Sequence, residues 1–153
     1  MKKQAFTTIT MLSVLLMVAA ISVNAQQLSE NKIAANIPFD FAVGETNFPA
    51  GKYTLRRIIS TSSADQLLIQ NAEARVDMRT GITRPNRTSE VQKQSKLVFN
   101  RYGDQYFLSQ VWMAGSDTGR DLFQSRNERS LAKESKLAKS KHKRQPVTVI
   151  AGQ

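Results

Sequence analysis

Residues 33–43 read Ile-Ala-Ala-Asn-Ile-Pro-Phe-Asp-Phe-Ala-Val, so Ile33, Ala35, Ile37, Phe39, Phe41 and Val43 place an apolar side chain at every second position. Successive side chains of a strand point to opposite faces, so this period of two predicts a strand with one buried face. Pro38 has no N–H to give to a ladder, which puts the strand at a sheet edge or at a bulge. Gly44 to Asn47 and Pro49-Ala50-Gly51 carry turn chemistry on its far side.

The same reading extends outward. Lys52–Ile59 is a strand with Tyr53 and Leu55 on one face, and its alternation breaks at Arg56-Arg57-Ile58. Ser60 to Ser63 is a loop. Gln66–Gln70 and the run marked by Ala74, Val76 and Met78 are short strands, and the polar stretch from Gly81 to Lys93, with Pro85, reads as a long exposed loop. Leu97 to Arg101 and Tyr106 to Trp112 form a hairpin about Tyr102-Gly103-Asp104-Gln105. Its second strand places Tyr106, Leu108 and Trp112 on one face and Phe107, Ser109 and Val111 on the other, the pattern of a central strand. Gly115 to Gly119 is the next turn. Short connections and the absence of helix-length amphipathic segments among these strands predict a mainly β fold. The expected form is an antiparallel β-sandwich or small barrel of about six to seven strands with a basic C-terminal α-helix.

Before the strands lies a different kind of sequence. Lys2 and Lys3 precede an apolar run densest across Met11–Ile21, and Val23-Asn24-Ala25 supplies small residues for cleavage before Gln26. That is the layout of a secretory signal peptide, and threonines and Ser13 interrupt the run below the length of about 20 apolar residues that a spanning helix needs. The expected organisation is a signal peptide at 1–25, a β-domain at 26–122, a basic helix at 123–145 and a tail at 146–153 able to return as a short edge strand. The protein is expected to be secreted or periplasmic, with no transmembrane segment in the mature chain. Of the 153 residues, 128 remain after cleavage, enough for one domain with a real core. There is no cysteine, so that core must hold without disulfides.

Charge is uneven. The formal net charge of +10 falls to +8 with the loss of Lys2 and Lys3. Residues 26–119 carry 11 basic and 9 acidic groups, whereas residues 120–153 carry 9 basic and 3 acidic ones. Ser125-Arg126-Asn127-Glu128 fits a capping box, so a helix is predicted from Arg126 to about Lys143. At 100° per residue Arg126, Arg129, Lys133, Lys136, Lys139, Lys143 and Arg144 share one broad arc, which makes them candidate contacts for an anionic partner. Outside the cytoplasm that partner is an anionic envelope or extracellular polymer or lipid headgroups, and nucleic acid is set aside. Pro146 ends the helix, and Val147–Ile150 is β-prone, with the strand at 33–43 as its expected neighbour.

Two stretches resemble a group of small exported bacterial β-rich proteins with no assigned function. One is Ile37-Pro38-Phe39-Asp40-Phe41, Val43-Gly44 and Pro49 to Tyr53; the other is Arg101 to Ser109 through Trp112, with Ser116-Asp117-Thr118-Gly119-Arg120 as a third marker. The resemblance implies an architecture and an export route, and no catalytic residue.

The chemistry on offer is sparse. His142 is the sole histidine and sits among lysines, so no zinc pair or Ser-His-Asp arrangement can be built, and no metal or cofactor is expected. Asp117-Thr118-Gly119 spells the aspartic-protease triplet, but Arg120 beside it would hold both carboxylates ionised where that chemistry needs a shared proton. Asp104 and Asp117, with Asp121, are candidates for a carboxylate cluster at one end of the sheet. Trp112, with Tyr102 and Tyr106, is the candidate aromatic lining of a sugar site. The expected role is non-enzymatic binding or structural work; the alternative is a polymer hydrolase using carboxylates, glycosidase-like or aspartic-protease-like through Asp117.

Overall fold

The computed structural model describes residues 32–58, 65–71, 73, 76–81, 83–137 and 144–152. The segment 1–25 expected to be a signal peptide, Ala74, Lys139, His142 and Lys143 therefore lie outside the described residues. Residues 31–153 group as one compact unit, which includes the C-terminal helix and the strand after it. The elements are β1 (Lys32–Ile37), β2 (Phe41–Val43), β3 (Thr46–Phe48), β4 (Gly51–Ile58), β5 (Gln66–Asn71), β6 (Val76–Arg79), β7 (Arg84–Arg87), β8 (Lys96–Tyr102), β9 (Gln105–Trp112), β10 (Thr118–Asp121), α1 (Arg126–Leu137) and β11 (Gln145–Ile150).

The strands form two sheets. One has four strands in the order β1-β4-β5-β6; the other has the path β11-β8-β9-β10-β7, with the β2–β3 hairpin attached to β9. Every pairing is antiparallel except a parallel contact of β2 with β9 at Ala42 and Phe107. Ile33, Ala35, Ile37, Tyr53, Leu55, Leu67 and Ile69 from the first sheet and Phe41, Val43, Phe48, Leu97, Phe99, Leu108 and Val111 from the second share one buried core. This is a two-layer β-sandwich, with Phe99 meeting Phe39 and Phe41 edge-on within its core.

Several expectations need correction. The alternation holds through β1, which ends at Ile37, but fails in β2, which begins at Phe41 in the other sheet and buries Ala42 as well as Phe41 and Val43. The break falls where Pro38 interrupts the ladder and the Asp40 carboxylate accepts the N–H of Ala50 at 2.8 Å. Pro38 does follow an edge strand, since β1 borders its sheet. The loop from Gly81 to Lys93 contains β7, whose Arg-Pro-Asn-Arg sequence has no apolar alternation because it is an outer strand exposed along most of its length. The turn read at Gly115–Gly119 ends in β10. Strand β9 is central as expected, but its faces do not follow simple parity. A register shift opposite Val98/Phe99 leaves Ser109 as an extra residue, its hydroxyl donating to the Val98 carbonyl at 2.9 Å. Leu108 and Val111 consequently share the core face, while Phe107 packs with Tyr102 and Ala42 on the opposite side.

The tail strand also has a different neighbour. β11 pairs along β8 from Gln145↔Arg101 to Ile150↔Lys96, and the bridge Ala34↔Gly152 brings the end of this segment to β1. The edge of β8 away from β9 takes six pairings from this segment.

Candidate functional site

The proposed ligand trio is not assembled. Asp104 sits in the β8–β9 turn beside Gly103, which adopts φ 62 as such a turn requires, and its fully exposed carboxylate lies 3.7 Å from Arg101. Trp112 closes the other end of β9, about 25 Å away at the rise of a strand. Asp117 lies beyond that same far end, since β10 runs back along β9 with Asp121 opposite Gln110. Strand direction therefore separates Asp104 from Asp117, Asp121 and Trp112, and among the described residues no group of carboxylates or imidazoles is placed to hold a metal ion.

Each member has a local use. Asp117 accepts from the Thr118 hydroxyl at 2.8 Å, and its carbonyl accepts the Thr88 N–H at 3.0 Å. Trp112 is buried, donates its indole N–H to Gln110 at 3.1 Å and lies flat against Gly119. Tyr106 stacks on Phe39 at 4.0 Å and Tyr102 meets Phe107 at 6.0 Å, so neither joins Trp112. Arg120 does not govern Asp117. It pairs with Asp65, which also holds Arg57 at 3.0 Å, so that one carboxylate joins β10 to β4 across the two sheets. Burial first, then the Arg57 charge, pulls Arg120 below the usual arginine range against the opposing pull of Asp65.

The basic helix is docked. Ser125 caps it through the Glu128 N–H at 3.0 Å, and the Arg126 N–H reaches the Glu45 carboxylate at 2.8 Å. Glu128, Leu131, Ala132 and Ser135 form its inner stripe at helical spacing, with Leu131 and Ala132 packed against Ala42, Tyr102 and Phe107. Glu128 is the unexpected member. Its carboxylate does not return to the cap but enters the interface, accepting from Asn100 at 2.7 Å and from Gln124 at 3.3 Å. Asn100 in turn accepts from Arg144 at 2.9 Å, which ties the segment after the helix to the same point. Among the described residues the buried Tyr102 hydroxyl has no hydrogen-bond partner, and burial, then the Glu128 charge, raises its pKa against Arg144.

Burial also raises the Glu128 pKa, and the hydrogen bonds from Asn100 and Gln124 and the Arg144 charge only partly offset it. The folded protein thus holds this proton more tightly than the unfolded chain. The resulting stability is complete below the ordinary glutamate value of 4.5 and is lost as pH rises through the higher folded value. Glu128→Gln keeps an acceptor for Asn100 and cannot ionise. In parallel thermal melts it should gain on the parent as pH rises from 4 to 8, and a constant gap between the two would refute the assignment. Glu128→Ala strands the buried Asn100 donor and should cost about 2 kcal/mol.

Outward from this interface, Arg126, Arg129, Lys133 and Lys136 are exposed. No carboxylate lies within ion-pair distance of Arg129, Lys133 or Lys136 among the described residues. Beside them is a pocket of about 290 Å³ lined by Arg84, Asp121, Leu122, Phe123, Gln124 and Arg129. Phe123 is 50% exposed, and the Arg84 guanidinium lies 4.4 Å over its ring. Asp121 is the pocket's one carboxylate and accepts from Asn86 at 3.0 Å. Sequence reasoning found Arg129 and missed Arg84 and Phe123. A lone aromatic between a strand end and a helix cap was the available signal for Phe123; Arg84 reaches the pocket only through the pairing of β7 with β10.

Comparison of the chain with family models, with curated proteins and with solved structures found no match.

Proposed function

We propose that the protein is exported and acts as a non-enzymatic binding module at the cell envelope or outside the cell, holding an anionic polymer against the basic face of α1. The observation that carries this reading is the docking of the helix. Its inner stripe is fixed to β8 by Glu128 and Asn100, so Arg129, Lys133 and Lys136 project from a supported surface. Cations held in place and not neutralised by neighbours attract a polyanion with less entropy loss than the same charges on a free tail. Export is supported by the layout of residues 1–25, and it directs the choice of partner to polymers found outside the cytoplasm.

Binding to a labelled polyanion such as polyphosphate should weaken by about tenfold or more between roughly 0.05 and 0.5 M salt. Substituting Arg129, Lys133 and Lys136 together by glutamine should flatten that dependence. Undiminished binding by this variant would overturn the role of the helix. N-terminal sequencing of the protein recovered from the producing cell's exterior should begin at Gln26; an intact Met1 there would overturn cleavage.

A further inference from the structure

We infer that the pocket between β7 and the start of α1 is a subsite for an acidic sugar unit, a uronate residue of a polysaccharide. This rests on the reading of the protein as a binder of anionic polymers and names the polymer class. Arg84 and Arg129 come from β7 and α1, remote in sequence, and line one pocket of about 290 Å³. Neither is within ion-pair distance of a carboxylate among the described residues. The Arg84 guanidinium carbon lies 4.4 Å over the Phe123 ring, and a cation–π contact consumes none of its N–H donors. Its planar fork suits a carboxylate.

Two further residues select what carries that carboxylate. Asp121 has one oxygen engaged by Asn86 and retains acceptor capacity toward the pocket. A carboxylate repels a ligand that is charged throughout and welcomes one whose acid group has hydroxyls beside it. Phe123, half exposed, offers an apolar edge to the C–H face of a pyranose ring. Acid, hydroxyls and an apolar ring face occur together in a uronate and not in a linear phosphate polymer. The adjoining cations Lys133 and Lys136 extend along α1 and would meet the acid groups of neighbouring units.

The test uses the full chain and two probes, an oligouronate and linear polyphosphate, at one fixed ionic strength. Arg84→Gln and Phe123→Ala should each weaken oligouronate binding by about tenfold, whereas polyphosphate binding should be untouched by Phe123→Ala and lowered by Arg84→Gln by less than the uronate loss. Both positions are exposed, and circular dichroism confirms that the variants remain folded. Uronate binding unaffected by both substitutions, with polyphosphate binding intact, overturns the subsite and leaves the basic-face reading standing. Equal losses for both probes mean that the pocket reads charge alone and also overturn the sugar assignment. Failure of the parent protein to bind either probe overturns both readings together.

Discussion

Deleting residues 146–153 is expected to lower the melting temperature by at least about 10 °C. The segment is not a peripheral tail. Six residues of β11 pair with β8, and Val147 and Val149 pack against the shared core. Beneath them Leu97 and Phe99 are completely buried, and removing β11 opens that edge of β8 to water. Partial exposure of several large apolar side chains at about 25 cal/mol per Å² amounts to a few kcal/mol, a large share of the stability of a domain this size. The deletion also breaks the Ala34–Gly152 bridge, which joins the edges of the two sheets. The paired substitution Val147→Asp with Val149→Asp keeps the chain length and should give a comparable drop, since it places two carboxylates at half-buried positions. A thermal melt indistinguishable from the parent in both variants would show that β11 adds nothing to the fold.

The strands that sequence reasoning reached are those with one wet and one dry face. In β1 the exposed and buried residues alternate without exception from Lys32 to Ile37, and in β4 Tyr53 and Leu55 are buried between more exposed neighbours. Alternation reports which face a residue takes and not which sheet it belongs to. The continuous pattern from Ile33 to Val43 therefore concealed a crossing between sheets at Pro38–Asp40. β7 and β10 carry almost no apolar side chain; β7 forms the sheet margin, and β10 links it to β9. Nothing in Arg-Pro-Asn-Arg announces a strand until a partner is present. The extra residue at Ser109 likewise depends on how β9 pairs, so the faces of Phe107 and Val111 were not readable from parity.

The candidate site divides in the same way. A run of cations at helical spacing is a local pattern, and Arg126, Arg129, Lys133 and Lys136 fall where that pattern places them. Glu128 matches a capping box, and the cap explains its backbone N–H; the destination of its carboxylate is set by Asn100, 28 residues away. The pocket is less local still, because Arg84 and Arg129 meet only once β7 pairs with β10 and α1 is docked. Asp104 parts from the other candidates for a simple topological reason: a hairpin puts its turn at one end, so Asp104 and the residues after Trp112 are driven apart. Arg57 and Arg120 are meanwhile paired with Asp65 between the sheets. The excess carried by α1 remains available.

Replacing Gly119 by valine is expected to cost about 3 kcal/mol. Gly119 needs no unusual backbone angle; it is constrained by what lies beside it. A Cβ built there would stand 2.5, 2.6 and 2.8 Å from three atoms of the Trp112 ring, where ordinary contacts begin near 3.4 Å. The ring is 7% exposed and anchored through its N–H to Gln110, with Lys96 5.6 Å from its face. It can yield only by leaving its seat or by pushing β10 from β9, and a well-packed interior resists both. The glycine of the Asp-Thr-Gly triplet is thus accounted for by packing, with no appeal to catalysis. Alanine should be tolerated less badly than valine, at about 1–2 kcal/mol. A double-mutant cycle identifies the cause. Trp112→Leu alone should destabilise by lost burial, but it should remove most of the penalty of Gly119→Ala in the combined variant. If the two costs instead add in full, as they do for independent sites, the indole is not what excludes a side chain from position 119.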